Sequence, residues 1–185
     1  MYEDILKDLK SGLNSAVDHL ENEFTSIIAG RANPKMLEGI KVDYYGNPTP
    51  LNQMANITVP DPKMLVVSVW DKSALKDVIK AINDANLGVN VSDDGNIIRV
   101  VFPALTTERR EQFVKQAKKM AENARITIRN ERRDTKDKLK KLKDENSMSE
   151  DDLKVAEDKM QKEVDAATKK VDEIYKQKEK EILGL

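Results

Sequence analysis

Six basic residues have the type and spacing needed to bind a phosphate backbone. On an α-helix, at about 100° per residue, they fall within a sector of roughly 100°. At the same rotation per residue, the centre of the apolar side of this helix lies about 90° from the centre of the basic sector. Arginine binds phosphate oxygens in pairs through its planar guanidinium. We call these residues the basic stripe: Arg125, Arg129, Arg132, Arg133, Lys136 and Lys140.

The basic stripe has a second interpretation, in which acids of neighbouring helices pair with it. Charged stripes on helices are commonly solvated faces, and the flanking segments are rich in Asp and Glu. Lys115 and Lys118 extend the basic side, whereas Glu111 and Glu122 interrupt it. Arg110 falls nearer the apolar side, so spacing does not place it in the stripe. Spacing alone leaves RNA binding and internal pairing both open.

The remaining residues give no catalytic site. His19 is the only histidine and cysteine is absent, so no nucleophile–base pair or Cys-based zinc site can be assembled. Neither a Walker A loop nor a Gly-x-Gly-x-x-Gly motif is present. The pair Asp93-Asp94 precedes Gly95 and is typical of a loop. We therefore expect no enzyme activity, no cofactor and no metal.

Long helices must position the stripe. The first is predicted over 3–29, with Gly30 as its C-terminal stop. Its apolar residues recur at spacings of three and four, which is typical of a bundle seam. They are Ile5, Leu9, Leu13, Ala16, Leu20, Phe24 and Ile27.

Two more helices are predicted after Pro103. The second helix has a candidate N-cap at Thr106, and Glu131 and Thr135 interrupt its apolar side. A polar turn at 144–147 separates it from the third, where Ser149 with Asp152 resembles a capping box. The apolar residues of the second helix are Val114, Ala117, Ala121, Ala124, Ile128, Leu139 and Leu142. Those of the third are Leu153, Ala156, Met160, Val164, Ala167, Val171 and Ile174.

A segment of different composition interrupts the helices. All six prolines and four of the seven glycines lie within residues 31–103, which hold 16 charged residues of 73 against 49 of 112 elsewhere. Such a shift marks a domain boundary. Alternation at 40–44 and 57–59 and apolar runs at 64–70 and 97–102 predict strands, and 73–85 predicts a helix. Gly46-Asn47-Pro48 predicts a turn.

The chain is therefore predicted to be α+β. Residues 1–30 and 104–185 form a discontinuous three-helix bundle, and 31–103 form an inserted, β-rich α/β domain. The seams are also compatible with a coiled coil between chains. If the crossings at Gly30-Arg31 and Pro103-Ala104 lie side by side, they form a hinge.

The total charge does not favour nucleic-acid binding. The net charge is −1 and the pI about 6.0, whereas nucleic-acid binders more often have a pI above ~9. RNA binding must therefore depend on how the charge is arranged. No apolar run approaches the ~20 residues of a membrane span, and residues 1–10 lack the pattern of a targeting peptide. We expect a cytoplasmic protein.

Several strings along the whole chain resemble the bacterial ribosome recycling factor family. Their order and spacing make a chance match improbable. The strings are Gly30-Arg31-Ala32, Tyr44-Tyr45-Gly46, Pro48-Thr49-Pro50-Leu51, Asp93 to Val100, Leu105-Thr106, Glu108-Arg109-Arg110, Ala124-Arg125, Arg129-Asn130-Glu131-Arg132-Arg133-Asp134 and Ser149-Glu150-Asp151-Asp152. Ala29 and Ala104 depart from the family, which more often has threonine and a second proline there.

The resemblance implies an L-shaped α+β protein: an elongated three-helix bundle, a hinge and a small inserted β/α/β domain, with the outline of a tRNA. It implies binding to the post-termination ribosome and, with elongation factor G and GTP, subunit splitting with release of mRNA and tRNA. In that family the bundle rests on the rRNA of the large ribosomal subunit. We expect a monomer.

The resemblance also implies site residues. Within the stripe, Arg129 and Arg132 are the foremost candidates for contacting rRNA, and Arg133 and Arg125 are the next. Arg110 and Arg31 rest on the family match, and Arg31 could equally be a hinge residue salt-bridged within the protein. The hinge is expected at Gly30, Arg31, Pro103, Ala104 and Leu105. The alternative function is a non-enzymatic coiled-coil adaptor or scaffold that binds protein partners.

Overall fold

A computed structural model describes residues 2–27 and 29–184 of the 185-residue chain. Within them, long helices enclose a β-rich segment in sequence. The elements are α1 (Tyr2–Thr25), α2 (Lys35–Glu38), β1 (Lys41–Tyr44), β2 (Asn47–Pro50), β3 (Ala55–Asp61), β4 (Met64–Val69), α3 (Leu75–Asp84), β5 (Asn90–Asp93), β6 (Ile98–Val101), α4 (Thr107–Asp144) and α5 (Glu150–Leu183). Single 3-10 turns occupy Leu51–Gln53 and Lys72–Ala74.

These elements form two compact units. The first unit is Met1–Phe24 with Gln112–Lys180, and the second is Thr25–Glu111 with Glu181–Leu185. The predicted crossings at 30–31 and 103–104 both lie in the second unit. Long helices combined with a small β-sheet domain confirm the predicted α+β class.

The first unit is a bundle of α1, α4 and α5. Its core consists of the apolar stripes predicted from spacing: Leu9, Leu13, Leu20 and Phe24 on α1, Ala117, Ala121, Ile128 and Leu139 on α4, and Ala156, Met160, Val164 and Val171 on α5 are all buried. Polar contacts join the same helices. Lys10 Nζ of α1 lies 3.7 Å from Glu163 Oε1 of α5, and Lys159 Nζ lies 5.5 Å from the ring centre of Tyr2. Each helix stabilises the bundle by burying its stripe against the other two.

Side-chain caps begin the two long C-terminal helices where the sequence predicts them. Thr106 Oγ1 accepts from the backbone N–H of Arg109 at 3.2 Å, immediately before α4. Ser149 Oγ accepts from the N–H of Asp152 at 3.1 Å and donates to the carboxylate of Asp152 at 2.6 Å. Each cap satisfies one of the N–H groups that a helix start leaves unpaired.

The first helix ends earlier than predicted. It was expected to continue to Ala29, but α1 stops at Thr25. Thr25 and Ser26 have short hydroxyl side chains, which compete with the backbone for hydrogen bonds and disfavour helix. Ile28, within the predicted helix, lies outside the described residues.

The second unit contains two antiparallel sheets. Strands β1 and β2 form a hairpin, and the four-stranded sheet has the order β3-β4-β6-β5. Apolar side chains of the central strands β4 and β6 are buried together with those of α3: Leu65, Val67, Val69, Ile98, Val100, Val78 and Ile82. Strands β1, β3, β4 and β6 and helix α3 match the predicted segments, whereas α2, β2 and β5 were not predicted.

The turn in the first hairpin lies one residue earlier than predicted. Asn47 pairs with Tyr44, so the loop is Tyr45-Gly46, and Asn47 and Pro48 belong to β2. Both loop residues have positive φ, +50° for Tyr45 and +80° for Gly46. Positive φ at both positions defines a type I′ turn, whose twist matches that of the flanking strands.

Candidate nucleic-acid interface

Helix α4 concentrates the positive charge of the protein. It has 14 Lys and Arg against 7 Asp and Glu, a net charge of +7. Helix α1 has 2 against 6, a net −4, and α5 has 8 against 11, a net −3. The overall charge of −1 therefore conceals one strongly cationic helix beside two anionic ones.

Two arginines of the basic stripe are largely exposed to solvent. The side chain of Arg129 is 66% exposed and that of Arg133 is 73% exposed. Arg129 Nη2 donates to Glu122 Oε1 at 2.6 Å, and Arg133 Nε lies 3.9 Å from Asp134 Oδ1. Since a guanidinium has five N–H donors, both residues retain donors that point to no acceptor in the described part of the chain.

Arg125 is bound more completely by the protein. Its Nε and Nη2 donate to Asp172 Oδ1 of α5 at 3.1 and 2.6 Å, and its Nη1 donates to Glu122 Oε2 at 3.3 Å. The side chain is only 28% exposed. The hydrogen bonds that Arg125 donates to Asp172 raise the pKa of Arg125, against the opposing effect of burial. Arg125 therefore helps to join α4 to α5.

Arg132 also contacts α5, but through a neutral group. Its Nε donates to Gln161 Oε1 at 2.9 Å, and Gln161 Nε2 in turn donates to Asp165 Oδ1 at 2.8 Å. This contact fixes the guanidinium without neutralising it. Arg132 is half-buried, so its stem is held while its charge remains available.

Glu122 is the carboxylate that organises the stripe. It accepts from Arg129 and Arg125, and these hydrogen bonds, that from Arg129 first, lower the pKa of its carboxyl group. The sequence showed Glu122 only as an interruption, although its spacing of three from Arg125 favours such a pair. No sequence spacing indicated Asp172 or Gln161, because both lie on another helix.

Few ion pairs join the basic stripe to neighbouring helices. In the described part of the chain, Arg125 is the only stripe residue ion-paired to a different helix. Lys136 and Lys140 are exposed and form no ion pair with described residues. Apart from Arg125, which pairs with Asp172 of α5, no stripe residue forms an ion pair with a described acid of α1 or α5.

Arg110 and Arg31 belong to the second unit, whereas the stripe belongs to the first. Arg110 Nη1 donates to the carbonyl oxygen of Leu183 at 3.0 Å, at the C-terminal end of α5, where a cation is favoured by the helix dipole. Its Nε is buried with no hydrogen-bond partner among the described residues. Arg31 is exposed, and no ion pair to it is found among residues 2–27 and 29–184.

Two of the residues predicted to form the hinge, Gly30 and Leu105, lie next to each other. Gly30 has φ +74°, in the left-handed region that favours glycine. A Cβ at Gly30 would lie 3.6 Å from Leu105 Cγ, so the two crossings of the chain are neighbours here. Pro103 and Ala104 are exposed.

His19 shows no catalytic arrangement. Its Nε2 lies 3.7 Å from Glu23 Oε2 at the surface of α1. No group of three His, Asp or Glu suited to a metal ion occurs among the described residues. The same residues contain no helix of the length and apolar character that a bilayer crossing requires. Fold and surface define a class of protein with a helical bundle, a small β-rich unit and one exposed cationic helix face.

Comparison with known proteins identifies the family within that class. The ribosome recycling factor family model matches residues 20–183. The ribosome-recycling factor of Staphylococcus carnosus is 54% identical over 126 residues, 68% of each chain. That of Syntrophomonas wolfei is 51% identical over 129 residues, 70% of each chain.

Solved structures agree with this result. A solution structure of ribosome recycling factor matches with a TM-score of 0.81 at 36% identity, covering 100% of this chain and 98% of that one. Models for the T. thermophilus ribosome recycling factor and the E. coli elongation factor G, bound to the E. coli post-termination complex, give a TM-score of 0.70 at 43% identity, with both chains fully covered (100%). The chain belongs to the ribosome recycling factor family, a family of non-enzymatic translation factors, as the sequence predicted.

Proposed function

We propose that this protein binds the large subunit of the post-termination ribosome through the basic stripe. With elongation factor G and GTP it then splits the subunits and releases mRNA and tRNA. The supporting observation is the exposed charge of α4, net +7, between helices of net −4 and −3. The partners follow from the related factor, which is found with elongation factor G on the post-termination complex.

The stripe residues have different roles in this proposal. Arg129 and Arg133 contact phosphates because they are the most exposed, and Arg132 contacts them from a position fixed by Gln161. Arg125 contributes mainly by holding α4 against α5, and it reaches rRNA only with the donors left by Asp172 and Glu122. Each neutralised phosphate releases counterions, so binding weakens steeply with salt.

Arg110 and Arg31 contribute outside the stripe. The second unit holds both residues, and Arg31 is exposed. Arg110 is already hydrogen-bonded to Leu183 O, so its part in rRNA binding is smaller.

A hinge between the two predicted domains, 1–30 with 104–185 and 31–103, completes the mechanism. It comprises Gly30, Arg31, Pro103, Ala104 and Leu105. The contact between Gly30 and Leu105 supports this, because it brings both crossings of the chain together. The bundle stays anchored on rRNA while the inserted domain moves. The factor acts in the cytoplasm as a monomer.

The deciding experiment is a subunit-splitting assay on post-termination ribosomes. Splitting should require the protein, elongation factor G and GTP together. Splitting that proceeds equally without the protein would reject the proposed function.

The stripe is tested by replacing two arginines together. Arg129→Ala with Arg132→Ala should weaken binding to large subunits about 100-fold or more, at roughly 1.5–3 kcal/mol for each charged hydrogen bond lost. The slope of log affinity against log salt should fall by about 2. The control variant, Lys7→Ala with Lys10→Ala, removes the same amount of charge from α1. It should change neither the affinity for large subunits nor the salt slope. Unchanged co-sedimentation of the arginine variant would favour the adaptor alternative.

A further inference from the structure

Uncharged side chains interrupt the charged outer surface of α4 at one level. Between residues 122 and 130, four of the six exposed residues are uncharged: Asn123, Ile126, Thr127 and Asn130. Between residues 131 and 144, every exposed residue is charged. We call Asn123, Ile126 and Asn130, spaced by three and four, the neutral patch. Residues at this spacing lie on one face of a helix, so the patch is continuous.

Ile126 has no structural reason to occupy its position. Its side chain is 44% exposed, so it contributes little to the bundle core. Isoleucine also has a lower helix propensity than the Lys, Arg and Glu residues around it. Packing and helix formation therefore both leave Ile126 unexplained, whereas a contact with another molecule would explain it.

The two asparagines of the patch have unused hydrogen-bonding groups. Neither side-chain amide has a hydrogen-bond partner among the described residues, since the bond from Thr127 Oγ1 at 3.1 Å goes to the backbone carbonyl of Asn123. Asparagine is also a poor helix former, because its side chain competes for backbone hydrogen bonds. Its amide presents donors and an acceptor side by side, which is the arrangement that pairs with the edge of a nucleobase.

The basic stripe borders the neutral patch on one side. At about 100° per residue, Ile126 lies ~60° from Arg129 and ~20° from Arg133 around the helix. The exposed side chains of both arginines extend from the same two turns of α4 as the patch. An RNA strand whose phosphates bind these guanidiniums therefore has its sugars and bases within reach of Ile126.

Carboxylates border the neutral patch on the other side. Asn123 lines a cavity of about 350 Å³ between α1 and α4, together with Glu23 and Glu131. These two acids repel phosphate, while the arginines of the stripe attract it. The RNA backbone is therefore favoured over the stripe, with its uncharged bases directed over the patch toward α1.

We propose that the neutral patch contacts unpaired bases of the rRNA whose phosphates the basic stripe binds. Ile126 packs against the face of one base, and Asn123 and Asn130 hydrogen-bond to base edges. Unpaired bases are the expected ligand, because the bases of an RNA duplex are largely inaccessible to side chains. This inference rests on the proposed function and divides it: the stripe supplies most of the affinity, and the patch supplies selectivity for this rRNA surface.

Alanine substitution separates base contacts from charge. Ile126→Ala with Asn130→Ala should weaken binding to large subunits about tenfold, as for a lost base contact. The slope of log affinity against log salt should stay as in wild type, because no cation is removed. Thermal stability should stay equal or rise, since alanine is the better helix former. A matched control, Asn14→Ala with Val155→Ala, changes an exposed amide on α1 and an exposed apolar side chain on α5, and it should bind as wild type.

Heparin, a polyanion without bases, tests the division of roles. The patch variant should bind heparin within about twofold of wild type, whereas Arg129→Ala with Arg132→Ala should lose affinity for heparin and for large subunits alike. Wild-type binding of the patch variant to large subunits would overturn the inference, and the proposed function would stand if the arginine variant still lost that binding. Undiminished subunit binding by the arginine variant would reject the role of the stripe and the inference with it.

Chemical footprinting identifies the occupant directly. Dimethyl sulfate methylates unpaired adenine and cytosine bases, and hydroxyl radicals cleave the exposed RNA backbone. Wild-type protein at saturating concentration should protect unpaired bases of the large-subunit rRNA from dimethyl sulfate, beside a protected stretch of backbone. Asn123→Ala with Asn130→Ala should protect the backbone but leave those bases reactive. Base protection that is the same for both proteins, or absent from both because the patch meets a ribosomal protein, would overturn the inference.

Discussion

The two units of this protein distribute charge in opposite ways. The helices of the first unit separate it, with net +7 on α4 against −4 on α1 and −3 on α5. Residues 31–103, within the second unit, have eight acids and eight bases and expose aromatic rings instead. The separated charge is the arrangement that suits binding of a polyanion. The net charge of the whole chain, −1, conceals this difference between the units.

The cores of the units differ as well. The sheet unit buries only apolar side chains in its core cluster. The bundle core includes Thr135, 4% exposed, near the level where Glu131 lies against α1. Among the described residues Thr135 is the one buried polar side chain, and it lies in the bundle.

Core truncations give the largest expected effect and test whether the units unfold separately. Leu20→Ala in the bundle and Leu65→Ala in the sheet unit each remove a side chain with no exposed surface. Each should lower the free energy of unfolding by about 2–5 kcal/mol. Hydrogen exchange should accelerate mainly in the unit that contains the change. Equal acceleration in both units by either variant would show one cooperative structure.

Arg125 and Arg129 separate structural from binding roles within one helix. Arg125→Ala removes three hydrogen bonds to carboxylates, and because the side chain is part exposed we expect a loss of only about 1 kcal/mol of stability. Arg129→Ala should leave stability within about 0.5 kcal/mol and weaken large-subunit binding about tenfold. Denaturant unfolding and co-sedimentation measure the two quantities. A larger binding loss for Arg125→Ala than for Arg129→Ala would reverse the assignment.

Glu122 provides a finer test of the same surface. Glu122→Gln removes an anion that competes with phosphate for Arg129, so large-subunit affinity should rise about two- to fivefold at low salt. The gain should disappear at high salt, where exposed charges are screened. Because the folded pKa of Glu122 is depressed, its stabilising contribution is present at neutral pH and lost as pH falls through that value. Weaker binding by the variant would mean that Glu122 is needed to orient Arg129.

The sequence predicted most of the elements because their signals are local. The caps at Thr106 and Ser149 and the apolar run of β4 are set by residues a few positions apart. The short strands β2 and β5 were missed since β2 contains Pro48 and Pro50 and β5 has few apolar residues. Both depend on pairing with a partner strand, which no local pattern shows.

The candidate site was predicted only in part for the same reason. Helical spacing placed the stripe on one face of α4, but it could not show which arginine meets Asp172 or Gln161 of α5. No sequence signal indicated that Trp70, at the end of the apolar run 64–70 that predicted a strand, is 67% exposed. Exposure of that side chain is a property of the fold.

The smallest expected effect concerns a contact between α1 and α4 near the level of the stripe. A Cβ at Gly12 of α1 would lie 2.8 Å from the carboxyl carbon of Glu131, so Gly12 leaves room for this half-buried side chain. Gly12→Ala should gain about 1 kcal/mol of helix propensity and lose a similar amount by displacing Glu131, for a net change near zero. In a Glu131→Ala background the same substitution should stabilise by about 1 kcal/mol. An equal gain in both backgrounds would show that Glu131 does not need the space that Gly12 leaves.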